Sequence, residues 1–330
     1  MSYAVVGFSS PPPNPSLPSS INSLQKQDGD TAEQIQLEDK HPTLPGYKWR
    51  LVIAYDGTKF SGWQYQQSPP TIQCIVEKTL TRITKLEREE LCFVGASRTD
   101  TGVHAWGQFQ VAHFVTPFNY HSLESIHAAL NGLLPSDIRV REISSVLPEF
   151  HARFSAESKI YHYKIYNDTI MDPFQRLYAY HNAYRLNTVA MREAAKYFIG
   201  KHDFSAFVNA SRNDISPDPL KHIFRFDVIE MGVLLQLEVE GSGFLYRQVR
   251  NMVGLLLQVG REAVPPDIVP HILATRDRKE LAKYALCAPP HGLCLMSVKY
   301  NKDILQPPPG CPASSFGMHY CLSKCKLPFY

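Results

Sequence analysis

The chain has 330 residues, 44% of them hydrophobic and 20% charged, the balance of a globular protein with room for about two domains. That excludes a wholly disordered chain, a coiled coil and a collagen-like fibre. It also excludes a membrane-spanning helix, because the longest apolar stretch, around Met252 to Val259, is short and holds Gln258. The net charge of +3 is too small to argue for a nucleic-acid partner by itself, and seven scattered cysteines form no disulfide framework and point to a reducing compartment.

Residues 1–46 hold seven prolines and many serines, and read as a disordered leader. Lys26 and Lys40 stand there against Asp28, Asp30, Glu33, Glu38 and Asp39, a net −3 that leaves +6 on the rest of the chain. The surplus suits a polyanionic partner and equally suits ordinary scatter. The first 27 residues contain no acid, as a transit peptide to an organelle such as a chloroplast would, and no arginine, as such a peptide usually would. An organelle and the cytoplasm both stay open.

Trp49 to Tyr55 reads as a buried strand, with Asp56-Gly57 as its turn. Pro70 sits where helices start, and Ile72, Val76, Leu80 and Ile83 mark one helical face. Phe93-Val94 is a short strand ending at Gly95. Phe109, Val111 and His113 alternate with Gln108, Gln110 and Ala112 in another. His121 to Leu134 is helix-like, with Leu123, Ile126, Leu130 and Leu133 in register, and Val140 to Val146 is again strand-like.

The pattern then restarts. Lys159 to Tyr166 alternates strictly; Met191, Ala194, Ala195 and Phe198 mark a helix face with Gly200 as its natural C′ residue. Phe224 to Met231 and Val233 to Val239 predict paired strands around Gly232. Leu245, Val249, Met252, Val253 and Leu256 form the stripe of a long helix, and Cys294 to Tyr300 is a last strand. Two related α+β halves are expected, 47–149 and 150–300, followed by an irregular tail over 301–330.

The densest chemical signal is Val94-Gly-Ala-Ser-Arg-Thr-Asp-Thr-Gly-Val-His-Ala105. A strand runs into a polar loop bearing Arg98 and Asp100. An arginine near a carboxylate keeps it ionised against burial. Taken alone, Asp100-Thr-Gly102 reads more readily as a plain turn in which Asp bonds its own backbone, because Asp-x-Gly turns are common.

This string resembles the signature of the TruA-type tRNA pseudouridine synthases, close to Gly-x-x-Arg-Thr-Asp-x-Gly-Val-His-Ala. Ala54 to Gln64, Thr71-Ile-Gln73, Phe150 to Ala156 with Tyr161-His-Tyr163, His202 to Phe207, Gly243 to Gly254 and Ala288 to Leu293 resemble further motifs of that family, in order, over residues 49–300. The resemblance implies an α+β pseudouridine synthase fold of two ferredoxin-like or RRM-like halves, with mixed, mainly antiparallel sheets meeting at a cleft. It implies isomerisation of uridine in the anticodon arm of tRNA, a homodimer, and no cofactor, nucleotide or metal. Asp100 would be the nucleophile. Tyr161 would stack on the base and assist proton removal, and Arg250 would pair with Asp100. Arg98 would enter the RNA stack as the uridine leaves, and Phe204 and Arg247 would lie at the substrate. A core place for Phe204 stays equally open.

The residues bear on these roles independently. A carboxylate adduct can both form and break. A flat ring with a hydroxyl tip can stack and handle a proton. At 100° per residue Arg250 falls about 120° from the apolar stripe, on its flank, whereas Arg247 points away from it, toward solvent or a phosphate. His104 and His151 read as packing residues rather than general bases. Arg247 stands where the family usually has histidine, and Lys283 near a usual glycine. No Gly-rich phosphate loop is present. His319, Cys321 and Cys325, with Cys311, match no standard zinc spacing. The rival readings are a non-catalytic RNA-binding protein on the same scaffold and the same chemistry on another RNA.

Overall fold

The apolar run at Trp49–Tyr55 opens the fold as strand β1 (Tyr47–Tyr55), with Trp49, Leu51 and Ile53 wholly buried. The structure is a computed structural model and describes residues 46–209 and 218–317; of Gly107, Gln108 and Phe109 only the backbone is described. The leader and the histidine and cysteines at 319, 321 and 325 therefore lie outside the described residues.

Helix α1 (Ile72–Thr84) begins two residues after Pro70, because Thr71 is its N-cap and accepts from the Cys74 N–H. Ile72, Val76 and Leu80 form its buried face. The short α2 (Arg88–Leu91) leads into β2 (Val94–Gly95) and β3 (His104–Thr116). The expected alternation in β3 is not what the structure shows. Gln110, Val111, Ala112, His113 and Phe114 are all buried, since this strand is covered on both faces. In α3 (Leu123–Leu133) the predicted face holds at Leu123, Ile126 and Leu130, while Leu133 at the last turn is exposed. Strand β4 (Ile138–Val146) closes the first half.

The second half runs through β5 (Ala156–Tyr166), β6 (Tyr180–His181), α4 (Thr188–Lys196) and β7 (Gly200–Asp203). It continues with β8 (Leu220–Met231), β9 (Leu234–Gly241) and α5 (Gln248–Gly260). Gly200 does not cap α4, which ends at Lys196 with Tyr197 as its C-cap; with φ of 114° it opens β7 instead. The β8–β9 hairpin turns at Gly232 as predicted, with φ of 66°. Helix α5 is buried on nearly every side from Gln248 to Leu257, so the expected stripe is the core of an enclosed helix. Short helices α6 (Ile268–Thr275) and α7 (Arg278–Tyr284) precede β10 (Leu293–Tyr300). The tail is not wholly irregular: β11 (Phe316–Gly317) pairs with β4, and Ser145 Oγ donates to Pro312 O at 2.9 Å.

The strands form one sheet in the order β11-β4-β1-β3-β10-β5-β9-β8-β7, with β2 beside β3 and β6 beside β5. It is mainly antiparallel; β10 lies parallel to β3 and antiparallel to β5. The last long strand thus joins the halves. The boundary expected near residue 149 falls between β4 and β5, which do not pair with each other.

Candidate active site

The segment between β2 and β3 that carries Asp100 is held by residues far from it in sequence. The Trp63 N–H donates to Thr99 O at 3.0 Å, and the hydroxyls of Tyr55 and Thr99 lie 2.7 Å apart. Gly62, at φ of 89°, must lack a side chain because a Cβ there would lie 2.6 Å from Thr99 O. Asp100 O accepts from the Val103 N–H at 3.1 Å, a turn that Gly102 completes at φ of 76°. Asp100-Thr-Gly102 is thus a turn closed by the backbone, and the Asp100 side chain bonds Arg250 rather than its own backbone. Residues 54–64 act as the brace of the loop, a role their sequence alone does not display.

Arg250 reaches Asp100 from the first turn of α5. Its Nη1 donates to Asp100 Oδ2 at 2.9 Å, and the two side chains are 9% and 14% exposed. Nε donates to Ala288 O at 2.7 Å, and the Ala288 N–H returns a bond to Arg250 O at 3.1 Å. The guanidinium is thus fixed in orientation, and it fixes one carboxylate oxygen. Arg250 thus anchors Oδ2, one of the two Asp100 carboxylate oxygens. Losing Arg250 would leave the carboxylate largely buried without its charge partner, a change that typically costs about 3–5 kcal/mol.

Tyr161 comes to the site by register. Ala105 of β3, Leu295 of β10 and Tyr161 of β5 are aligned across the sheet, about 10 Å from first to third at ordinary strand spacing. The ring is buried and meets Phe244 edge-on at 5.3 Å. Burial pushes its phenol up to about 12, and the nearby Asp100 charge acts in the same sense. Lys159, two residues earlier on the same face of β5, donates to Ala96 O at 2.7 Å and tethers the loop from the other side.

The remaining expected residues divide. Arg98 lies exposed in the loop two residues before Asp100. Arg247 is not a helix residue facing away from the stripe: it is the N-cap of α5, in left-handed backbone at φ of 60°, with its guanidinium 4.9 Å from the Tyr246 ring. Phe204 does not reach a substrate. It has no exposed surface and packs with Phe198 and Phe207, so its place is the core. His104 accepts from the Gly57 N–H through Nδ1, with Nε2 3.0 Å from Leu177 O; His151 accepts from the N–H groups of Arg153 and Phe154. Both are packing residues, as expected.

The mixed, mainly antiparallel sheet gathers a carboxylate, a buried guanidinium and a phenol about its central strands, and the fold is that of a pseudouridine synthase. The family model described as tRNA pseudouridine synthase matches residues 51–155 and 194–301, and the chain belongs to that family. Asp100 and Arg250 lie inside the matched segments and Tyr161 between them. The chain is 41% identical over 256 residues to tRNA pseudouridine synthase A 1 of Protochlamydia amoebophila, covering 77% of this chain and 97% of that one. It is 42% identical over 252 residues to tRNA pseudouridine synthase A of Bacillus subtilis, covering 76% and 98%. For the enzyme of the same name from Chlamydia muridarum the identity is 40% over 252 residues, covering 76% and 91%.

Proposed function

We propose that this protein isomerises uridine to pseudouridine in the anticodon arm of tRNA, with Asp100 as the nucleophile. The observation that carries this reading is the Asp100–Arg250 pair, in which a largely buried guanidinium orients the carboxylate at 2.9 Å. The C1′–N1 bond breaks while Asp100 holds one fragment as a covalent adduct. The uracil turns and rejoins through C5, and the proton lost from C5 is matched by one gained at N1. No oxidation state changes and no group is transferred, so the reaction calls for no cofactor.

Tyr161 stacks on the flipped base and relays the C5 proton. With its phenol raised to about 12 it stays protonated at neutral pH, so it must pass one proton on as it takes the other. Arg98 fills the gap the base leaves, offsetting part of the few kcal/mol that flipping costs. Residues 47–149 supply the nucleophile and residues 150–300 the arginine and tyrosine, with tRNA spanning both subunits of a homodimer.

The test is Asp100→Asn. The variant should bind an unmodified tRNA transcript within about threefold of wild type and form no pseudouridine. Carbodiimide primer extension reads the modified positions. Pseudouridine made by the variant would refute the nucleophile. A wild-type protein that binds tRNA but modifies nothing would favour the non-catalytic RNA-binding reading.

A further inference from the structure

Arg250 is one of three arginines near Cys287. The Cys287 thiol lies within electrostatic reach of Arg250, Arg247, Arg278 and Asp100, so three positive charges and one negative surround one side chain. Asp100 answers Arg250. Among the described residues neither Arg247 nor Arg278 has a carboxylate partner, whereas Arg192, Arg225 and Arg276 in the same half are paired with Glu230, with Asp227 and Glu238, and with Asp203.

The two are also under-bonded. Among the described residues Arg247 Nε and Arg278 Nε and Nη1 are buried and have no hydrogen-bond partner, an unusual state for guanidinium N–H groups. The side-chain bond Arg278 makes among the described residues is long, 3.4 Å from Nη2 to Asn251 Oδ1. Asn251 is itself pinned through Nδ2 to Phe207 O at 2.7 Å and to Asn209 Oδ1 at 2.9 Å. Asn251 follows Arg250, so Arg278 is tethered one residue from the catalytic pair. Arg247 is held in a backbone conformation that an arginine adopts only under constraint.

We propose that Arg278, together with Arg247, anchors a phosphodiester next to the target uridine. The inference rests on the reaction proposed above. In that reaction the ribose must stay still while the uracil turns, and the groups at hand for holding a ribose are its flanking phosphates. Two guanidinium groups with unspent donors and no carboxylate partner among the described residues suit such an anion in charge and in hydrogen-bonding capacity. Small rotations of the two side-chain ends would present the buried donors to it. Arg278 is thus a substrate-positioning residue, without a role in bond making.

The experiment pairs a protein change with an RNA change. Anticodon-arm RNAs carry one uncharged methylphosphonate at either phosphodiester flanking the target uridine, and single-turnover rates are measured with the full-length wild type, Arg278→Gln and Arg278→Lys. One of the two methylphosphonates should slow the wild type about tenfold or more, and Arg278→Gln should slow the native RNA to a similar extent. Combined, the two changes should cost little beyond either alone. Arg278→Lys should recover part of the rate on native RNA, because it restores charge without the fork.

Penalties that simply multiply, or an Arg278→Gln enzyme at wild-type rate, would overturn the proposal. Should Arg278→Gln melt early, Arg247→Gln takes its place against the same RNAs. A wild type inactive on the native RNA would instead bring down the underlying reaction, so the two failures are distinct.

Discussion

Tyr161 brings a hydroxyl to a place already occupied by a carboxylate and a guanidinium, and burial keeps that hydroxyl protonated. Its ring and its oxygen can be tested apart. Tyr161→Phe keeps the ring and the edge contact with Phe244, so tRNA affinity should stay within about twofold while the rate falls about a hundredfold or more, the usual scale of a lost proton-transfer group. Quench-flow rates and filter binding on the same preparation check this; an undiminished rate would assign the proton to another group. At this scale much was readable beforehand. Asp100 follows a strand in a polar loop, and that signal survives folding; the flank expected for Arg250 does not, because α5 is enclosed, yet Arg250 still meets Asp100. Phe204 was ambiguous because His-Asp-Phe looks the same whether the ring faces a substrate or a core. Arg278 was invisible, since an arginine opening a polar helix reads as solvated, and only the unbonded N–H groups mark it.

His113 shows what an element does to a residue. On β3, buried on both faces, its imidazole is pushed down to about 3 by burial, with Lys48 and His151 adding to the effect. Its Nδ1 accepts from the Ala152 N–H at 3.1 Å, which ties β3 to the crossing between the halves. The folded protein therefore refuses a proton that the unfolded chain takes up below about pH 6.5, so this histidine destabilises the fold as pH falls from 6.5 toward 3. Asn at this position can accept the same N–H but cannot titrate. The melting temperature of His113→Asn should fall less steeply than that of wild type between pH 6.5 and 4.5; parallel slopes in calorimetry would disprove it. The period-2 pattern was the wrong guide to β3 because alternation presumes one wet face. It served well in β5, and the helix periodicity of α1 and α4 held because each buries one side and leaves the other wet.

The restart of the pattern after residue 149 is legible, whereas the way the halves are fastened is not, because strand pairing between distant segments leaves no local mark. One sheet through both halves predicts one unfolding event. Trp49, Trp63 and Trp106, the chain's three tryptophans, all lie in the first half, so their fluorescence reports that half while far-UV circular dichroism reports both. The two melting curves should coincide within about 2 °C. An earlier fluorescence transition would mean that the halves come apart as separate units. The fastener is β10, flanked by β3 on one side and β5 on the other. It is also the last long strand to leave the ribosome, and its partners are made nearly two hundred and more than one hundred residues earlier. During synthesis β3 and β5 must wait, unjoined, for their common neighbour. A chain broken off anywhere between residues 251 and 292 carries Arg98, Asp100, Tyr161 and Arg250, and has nowhere to assemble them.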